Sequence, residues 1–307
     1  MPRARCQVLC LVLGATVLGA AVLAAHQPAP TAAAELKQKL ERRAGEIAAR
    51  VDGVMGYAIV DLTSGDRFGH LDHETFPTAS TIKIAIVYEL FKQVEEGKVS
   101  LDETIVLDRR KAVGGTGVLA DLGTPTLSIR DYATLMVRLS DNTATNVLID
   151  RLGMENMSNR MQALGLTATR LRRHMMDTAA ARRGDENVST PDELARLLQA
   201  MYGPAEPGHT ASPGAIAMLK KSKESRLRRG LPPGVETADK PGELEGVRVD
   251  AGIVYAKNRP YVFAVMTTFL RDETEGERAI EDLSRAAYEY FSRVGAGGAF
   301  GRLVGSR

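Results

Sequence analysis

The chain has 307 residues, 44% of them hydrophobic and 25% charged, enough to bury a substantial core in one large domain or two interleaved lobes. With 40 basic and 38 acidic residues the net charge is +2, which gives no basic footprint for nucleic acid. Its only 2 cysteines, Cys6 and Cys10, lie at the extreme N-terminus, so the rest folds without a disulfide.

Arg3 and Arg5 precede an apolar run, Val8–Ala25, that closes on small residues. This order describes a secretory signal, with a retained membrane anchor as the alternative. Either places the rest of the chain in the periplasm or outside the cell, with membrane contact only through residues 8–25. Residues 1–25 are read as this segment, 26–34 as a linker, 35–295 as one folded unit and 296–307 as a flexible Gly-rich tail.

Glu35–Arg50 reads as a helix. Gly56–Leu62 and Arg67–Leu71 read as a hairpin around Thr63-Ser64-Gly65-Asp66. Ile82–Glu96 is apolar at helical spacing and stops at Gly97. Ser128 caps a helix with Asp131 in a capping-box position. A second helix starts near Asp141, and a third spans Met154–Leu164. Arg170–Asn187 has no clear period and reads as a long loop, a length that usually carries function. Thr190-Pro191 then opens another helix with a cap and Pro at the first position. The basic stretch Lys220–Gly230 reads as a solvated helix face. Val247–Ala256 and Tyr261–Leu270 are apolar strands joined by Lys257-Asn258-Arg259-Pro260, and Thr274–Arg293 is a closing helix. The fold class is α+β: an α/β sandwich lobe, its antiparallel sheet flanked by helices, with an all-helical lobe inserted at about 82–205.

Three motifs could carry chemistry. Ser80-Thr81-Ile82-Lys83 puts a hydroxyl and an amine on one face of a helix start, so that Lys83 can reach the Ser80 oxygen. A Ser hydroxyl attacks only when a base takes its proton, and a Lys serves only if burial or a nearby cation lowers its pKa. Ser140-Asp141-Asn142 alone is an ordinary capping triplet. Lys240-Pro241-Gly242, just before the strand near Val247, alone is an ordinary turn. With five scattered His, no metal site and no cofactor are expected.

Taken together, in this order and at these junctions, the three motifs resemble the set found in class A β-lactamases and penicillin-binding proteins. The stretches Phe76–Ile84, Gly115–Leu119 and Leu139–Leu148 are similar to that family too, and the likeness covers about residues 35–293. The resemblance implies a monomeric serine hydrolase that opens the ring of penicillin-type β-lactams through an acyl-enzyme on Ser80. Lys83 would be base or proton shuttle, and Ser140 would protonate the leaving nitrogen. Lys240 would face the substrate carboxylate, with Arg248 the nearest arginine to assist it. Asn142 would hold the substrate amide. The backbone N–H groups of Ser80 and of Glu243, beyond Gly242, would form the oxyanion hole. The partner would be a β-lactam or a cell-wall peptide. A DD-peptidase acting on D-Ala-D-Ala peptides, and a silent relative that only binds, are the alternatives.

Two departures stand out. Pro241 replaces the Thr or Ser whose hydroxyl would bond the substrate carboxylate. The long loop, Arg172-Arg173-His174-Met175-Met176-Asp177, lacks the Glu that activates water for release of the acyl group. Asp177, or else His174, is the remaining candidate for that base. Asp185 and Glu186 are further acids in the loop.

Overall fold

A computed structural model describes residues 32–203, 212–221, 223–298 and 301–302. The signal segment and most of the linker and tail lie outside the described residues. Helix α1 (Ala32–Ala49) leads into β1 (Val54–Asp61) and β2 (Arg67–His70). The turn between them forms where expected: Asp61 accepts from the N–H groups of Thr63 and Ser64, and Gly65 takes φ +78°. After β3 (Phe76–Pro77) a 3₁₀ turn, Ala79–Ile82, runs into α2 (Lys83–Glu95), so the expected helix from Ile82 begins as a tighter coil.

Next come β4 (Thr104–Val106), β5 (Thr126–Ser128), α3 (Ile129–Arg138), α4 (Asn142–Leu152), α5 (Met154–Ala163), α6 (Thr178–Arg182) and β6 (Val188–Ser189). The capping box of Ser128 and Asp131 is formed. The inserted lobe is not all-helical. Thr104–Val106 pairs antiparallel with Thr126–Ser128, a β-branched ribbon too short to read from period alone. The long loop likewise contains α6 and is tied back by a bridge between Arg170 and Val188. Helix α7 (Pro191–Tyr202) has Thr190 as its cap, and α8 (Pro213–Leu219) and α9 (Arg226–Arg229) follow.

The chain returns to the sheet with β7 (Thr237–Leu244), β8 (Val247–Val254) and β9 (Tyr261–Thr268), then closes with α10 (Glu273–Ala296). The sheet is antiparallel, in the order β2-β1-β9-β8-β7. Lys240-Pro241-Gly242 is therefore no turn. It lies inside β7, opposite Ala251, Asp250 and Val249. Pro is tolerated there because β7 is an edge strand. The reversal falls instead at Glu245-Gly246, with Gly246 at φ +67°.

Two cores flank the sheet. On one face α1 and α10 pack against β1 and β9, with Phe291 stacked on Tyr261 at 4.1 Å. On the other, α2 is buried nearly all round, its Ile84, Ile86, Val87 and Leu90 fully enclosed. Each such side chain contributes about 1.5–3 kcal/mol. That burial anchors the start of α2, and with it Ser80 and Lys83, against β7. Among the described residues no helix is long and apolar enough to cross a membrane.

Candidate active site

Ser80 sits in the 3₁₀ turn, half-buried. Thr78 holds the turn from below, its N–H and Oγ1 both donating to the carbonyl of Asn187 at 2.9 and 3.0 Å. Ala79 takes φ +46°, a left-handed conformation costly for a side chain with a Cβ. Ser80 makes no helix-capping bond, and its Oγ accepts from Ser140 Oγ at 2.9 Å.

Ser140 is also left-handed, at φ +53°. It is held from three sides. Its carbonyl accepts from Lys83 Nζ at 2.7 Å and from Thr116 Oγ1 at 2.7 Å, while its Oγ lies 3.0 Å from Lys83 Nζ and 3.2 Å from Lys240 Nζ. Lys83 also reaches Asn142 Oδ1 at 3.2 Å. Lys83 and Ser80 are thus not bonded directly. Ser140 Oγ bridges them, a link that i,i+3 spacing on one helix does not reveal.

Asp141 builds this corner. Its carboxylate caps α4 through the N–H of Ala144 and accepts from the N–H groups of Val118 and Leu119 at 2.7 and 2.9 Å. Gly117 packs against it so closely that any Cβ would collide with the carboxylate. Asn142 Nδ2 donates to Gly114 O at 3.1 Å. On the opposite wall, a Cβ on Gly242 would come within 2.8 Å of Ser80 N, so β7 can approach Ser80 only as glycine.

Burial and charge set the protonation of the amines. Lys83 is wholly enclosed, and burial first, then the charge of Lys240, holds its pKa well below the usual 10.5. Burial, then Lys223, lowers Lys240 to about 7. A neutral Lys83 two hydrogen bonds from Ser80 Oγ can take the hydroxyl proton by way of Ser140.

The basic stretch Lys220–Gly230 is a solvated face only in part, with Arg229 exposed but Ser225, Leu227 and the Lys223 side chain buried. The Lys223 side chain is 2% exposed and burial lowers its pKa to about 8. Its Nζ lies 3.9 Å from Asp239, whose Oδ1 also accepts from Arg228 Nε at 2.9 Å and Thr237 Oγ1 at 2.7 Å. Asp250, in the middle of β8, accepts from Leu227 N–H at 3.0 Å, and burial followed by Asp239 raises its pKa. This charged layer beneath Lys240 was not anticipated. Its signal was present: Asp239 and Asp250 interrupt apolar strands, and buried carboxylates require partners.

Arg248 does not meet Lys240. Its guanidinium bonds Glu277 at 3.0 Å and the carbonyls of Leu244 and Val247. The Glu243 side chain turns to Arg226. Nor does the structure bring the loop candidates into the group. Asp177 caps α6 through the N–H of Ala180 at 2.9 Å. His174 Nε2 faces Asp150 at 2.8 Å, and Lys111 holds the same carboxylate at 2.7 Å. Glu186 is bonded to Arg173. The loop faces inward with Met175, whose N–H and carbonyl are both bonded by Asn146, at 2.8 and 3.1 Å. Among the described residues no carboxylate is bonded to Ser80, Lys83, Ser140 or Lys240. Away from the site, Asp72, His73 and Asp192 lie close enough to share an ion, but Arg67 is bonded to both carboxylates and supplies the countercharge.

Comparison with known proteins bears on the family and the fold. The profile described as "Beta-lactamase enzyme family" matches residues 36–291. The β-lactamase SME-1 of Serratia marcescens is 25% identical over 86% of this chain and 91% of its own length. The imipenem-hydrolyzing β-lactamase of Enterobacter cloacae is 27% identical, covering 78% and 85%. Among solved structures, a β-lactamase from Sphaerobacter thermophilus superposes with a TM-score of 0.72 at 31% identity, over 81% of this chain and 95% of that one. PBP-A superposes at 0.74 with 28% identity, over 82% and 96%.

Proposed function

Because the chain belongs to the β-lactamase enzyme family, we propose that it is a serine β-lactamase-type hydrolase whose Ser80 opens the ring of penicillin-type β-lactams. The observation that carries this reading is the continuous chain from Ser80 Oγ through Ser140 Oγ to the buried Lys83 amine, with Lys240 on its far side.

Neutral Lys83 draws the Ser80 proton through Ser140 as Ser80 Oγ attacks the lactam carbonyl. The developing oxyanion is received by the backbone N–H groups of Ser80 and Glu243, each such donor worth about 2.7–4 kcal/mol. Collapse breaks the C–N bond, and Ser140 returns a proton to the ring nitrogen. Lys240 faces the substrate carboxylate as a cation, and Asn142 bonds the substrate amide. Release of the acyl group needs a water and a base, and the wall formed by residues 170–187 brings neither Asp177 nor His174 to the ester. On this reading release of the acyl group is the slower half of the cycle, so turnover is sustained but slow.

That same feature, with the likeness to PBP-A, favours a second reading: acyl transfer from D-Ala-D-Ala cell-wall peptides, with β-lactams as slow substrates. The basic-then-apolar start of the chain supports an exported protein working where both substrates are found. One experiment separates the readings. The folded domain is mixed with a chromogenic cephalosporin while colour and intact mass are followed. Sustained colour supports the β-lactamase. A stable adduct on Ser80 without turnover, together with D-Ala release from a D-Ala-D-Ala peptide, supports the peptidase. No adduct overturns both.

A further inference from the structure

Resting on the acyl-transfer reading above, we infer that Met176 forms an apolar wall of the subsite for the substrate's acyl side chain, so that the site favours β-lactams with apolar side chains. Met176 is 46% exposed. It holds a left-handed conformation, φ +65°, without being glycine. Such strain persists only where the surroundings enforce it, and they do. Asn146 clasps Met175 by both backbone groups, and Thr178 N–H bonds the Met176 carbonyl at 2.9 Å.

The side chain is directed to a defined spot. A Cβ placed on Gly115 would lie 2.9 Å from Met176 Sδ and 2.7 Å from Asn142 Nδ2. The thioether and the Asn142 amide are thus neighbours across a glycine that has no side chain of its own. Asn142 is the residue that receives the substrate amide, and its other side contacts Lys83. The substituent beyond that amide passes the next available surface, which is Gly115 and Met176. Gly115, at φ +89°, leaves the space to the thioether. A flexible, polarizable Met suits aromatic or aliphatic groups and offers nothing to a carboxylate.

The test compares acylation of Ser80 by penicillin G, which carries a phenylacetyl group, and by 6-aminopenicillanic acid, which carries none. Met176→Gly keeps the left-handed backbone. It is expected to slow acylation by penicillin G about tenfold and by 6-aminopenicillanic acid under about twofold. Met176→Leu is expected to retain most of the preference. Equal effects on both penicillins, or no effect on either, overturn the inference while leaving acyl transfer in place. Failure of the unsubstituted protein to form an adduct with either penicillin overturns the acyl-transfer reading and this inference with it.

Discussion

The two walls of the site are built to different ends. On one, Ser80, Lys83, Ser140 and Lys240 turn their polar atoms inward, within 3.2 Å of Ser140 Oγ or its carbonyl. On the other, the segment 170–187 turns its acids and its histidine to caps and ion pairs and presents Met175 and Met176 instead. The first wall can remove a proton from a hydroxyl and deliver it to a leaving nitrogen. Among the described residues of the second, Asp177 is bonded as a helix cap and His174 to Asp150. On the proposed mechanism, forming the acyl bond and breaking it draw on different walls of the site.

The sharpest way to break this contrast is Ser80→Ala, which is expected to abolish the adduct with any β-lactam while leaving Tm nearly unchanged, as read by intact mass and thermal melting. Lys83→Met removes the base and is expected to slow acylation by about 10²–10⁴-fold in stopped-flow or mass time courses. Pro241→Thr restores a hydroxyl beside the substrate carboxylate, and one hydrogen bond to a charged group, about 1.5–3 kcal/mol, raises kcat/KM by about tenfold or more. Unchanged penicillin kcat/KM would sink that account of Pro241.

The pH profile sharpens the same wall. Lys240 is cationic below about 7 and loses its charge above it. Lys83 is lowered as well, by burial first and then by the charge of Lys240. KM for a carboxylate substrate therefore rises as pH climbs through about 7, and Lys240→Arg, which stays charged, removes that limb. On the second wall effects are small. Asp177→Ala costs about 1 kcal/mol of stability as a lost cap, seen in Tm. Neither it nor His174→Ala changes the rate of acyl release by more than about twofold. A tenfold slower release in either variant would restore that residue as the base.

Much was legible in local pattern. The hairpin at Gly65, the caps at Ser128, Asp141 and Thr190, and the apolar face of α2 depend on residues within a few positions of one another. Ser80, Lys83, Ser140, Asn142 and Lys240 could be named because three short motifs stand in a known order. What failed did so for tertiary reasons. Lys240-Pro241-Gly242 has the letters of a turn but is a strand because β8 pairs with it and its outer edge needs no further N–H. Lys220–Gly230 has the letters of a solvated face, yet Asp239 and Asp250 draw Lys223 and Leu227 into the interior.

The amino-acid sequence by itself determined the α+β order, the family, and the candidate groups for acylation. Only the tertiary structure decided how they are wired. It put Ser140 between Ser80 and Lys83, placed Lys223 rather than Arg248 as the cation acting on Lys240, and bound Asp177 into a helix cap and His174 to Asp150. Apart from the cap, those outcomes rest on contacts between residues tens of positions apart. Such distances and desolvation are properties of packing, which no local run of residues encodes.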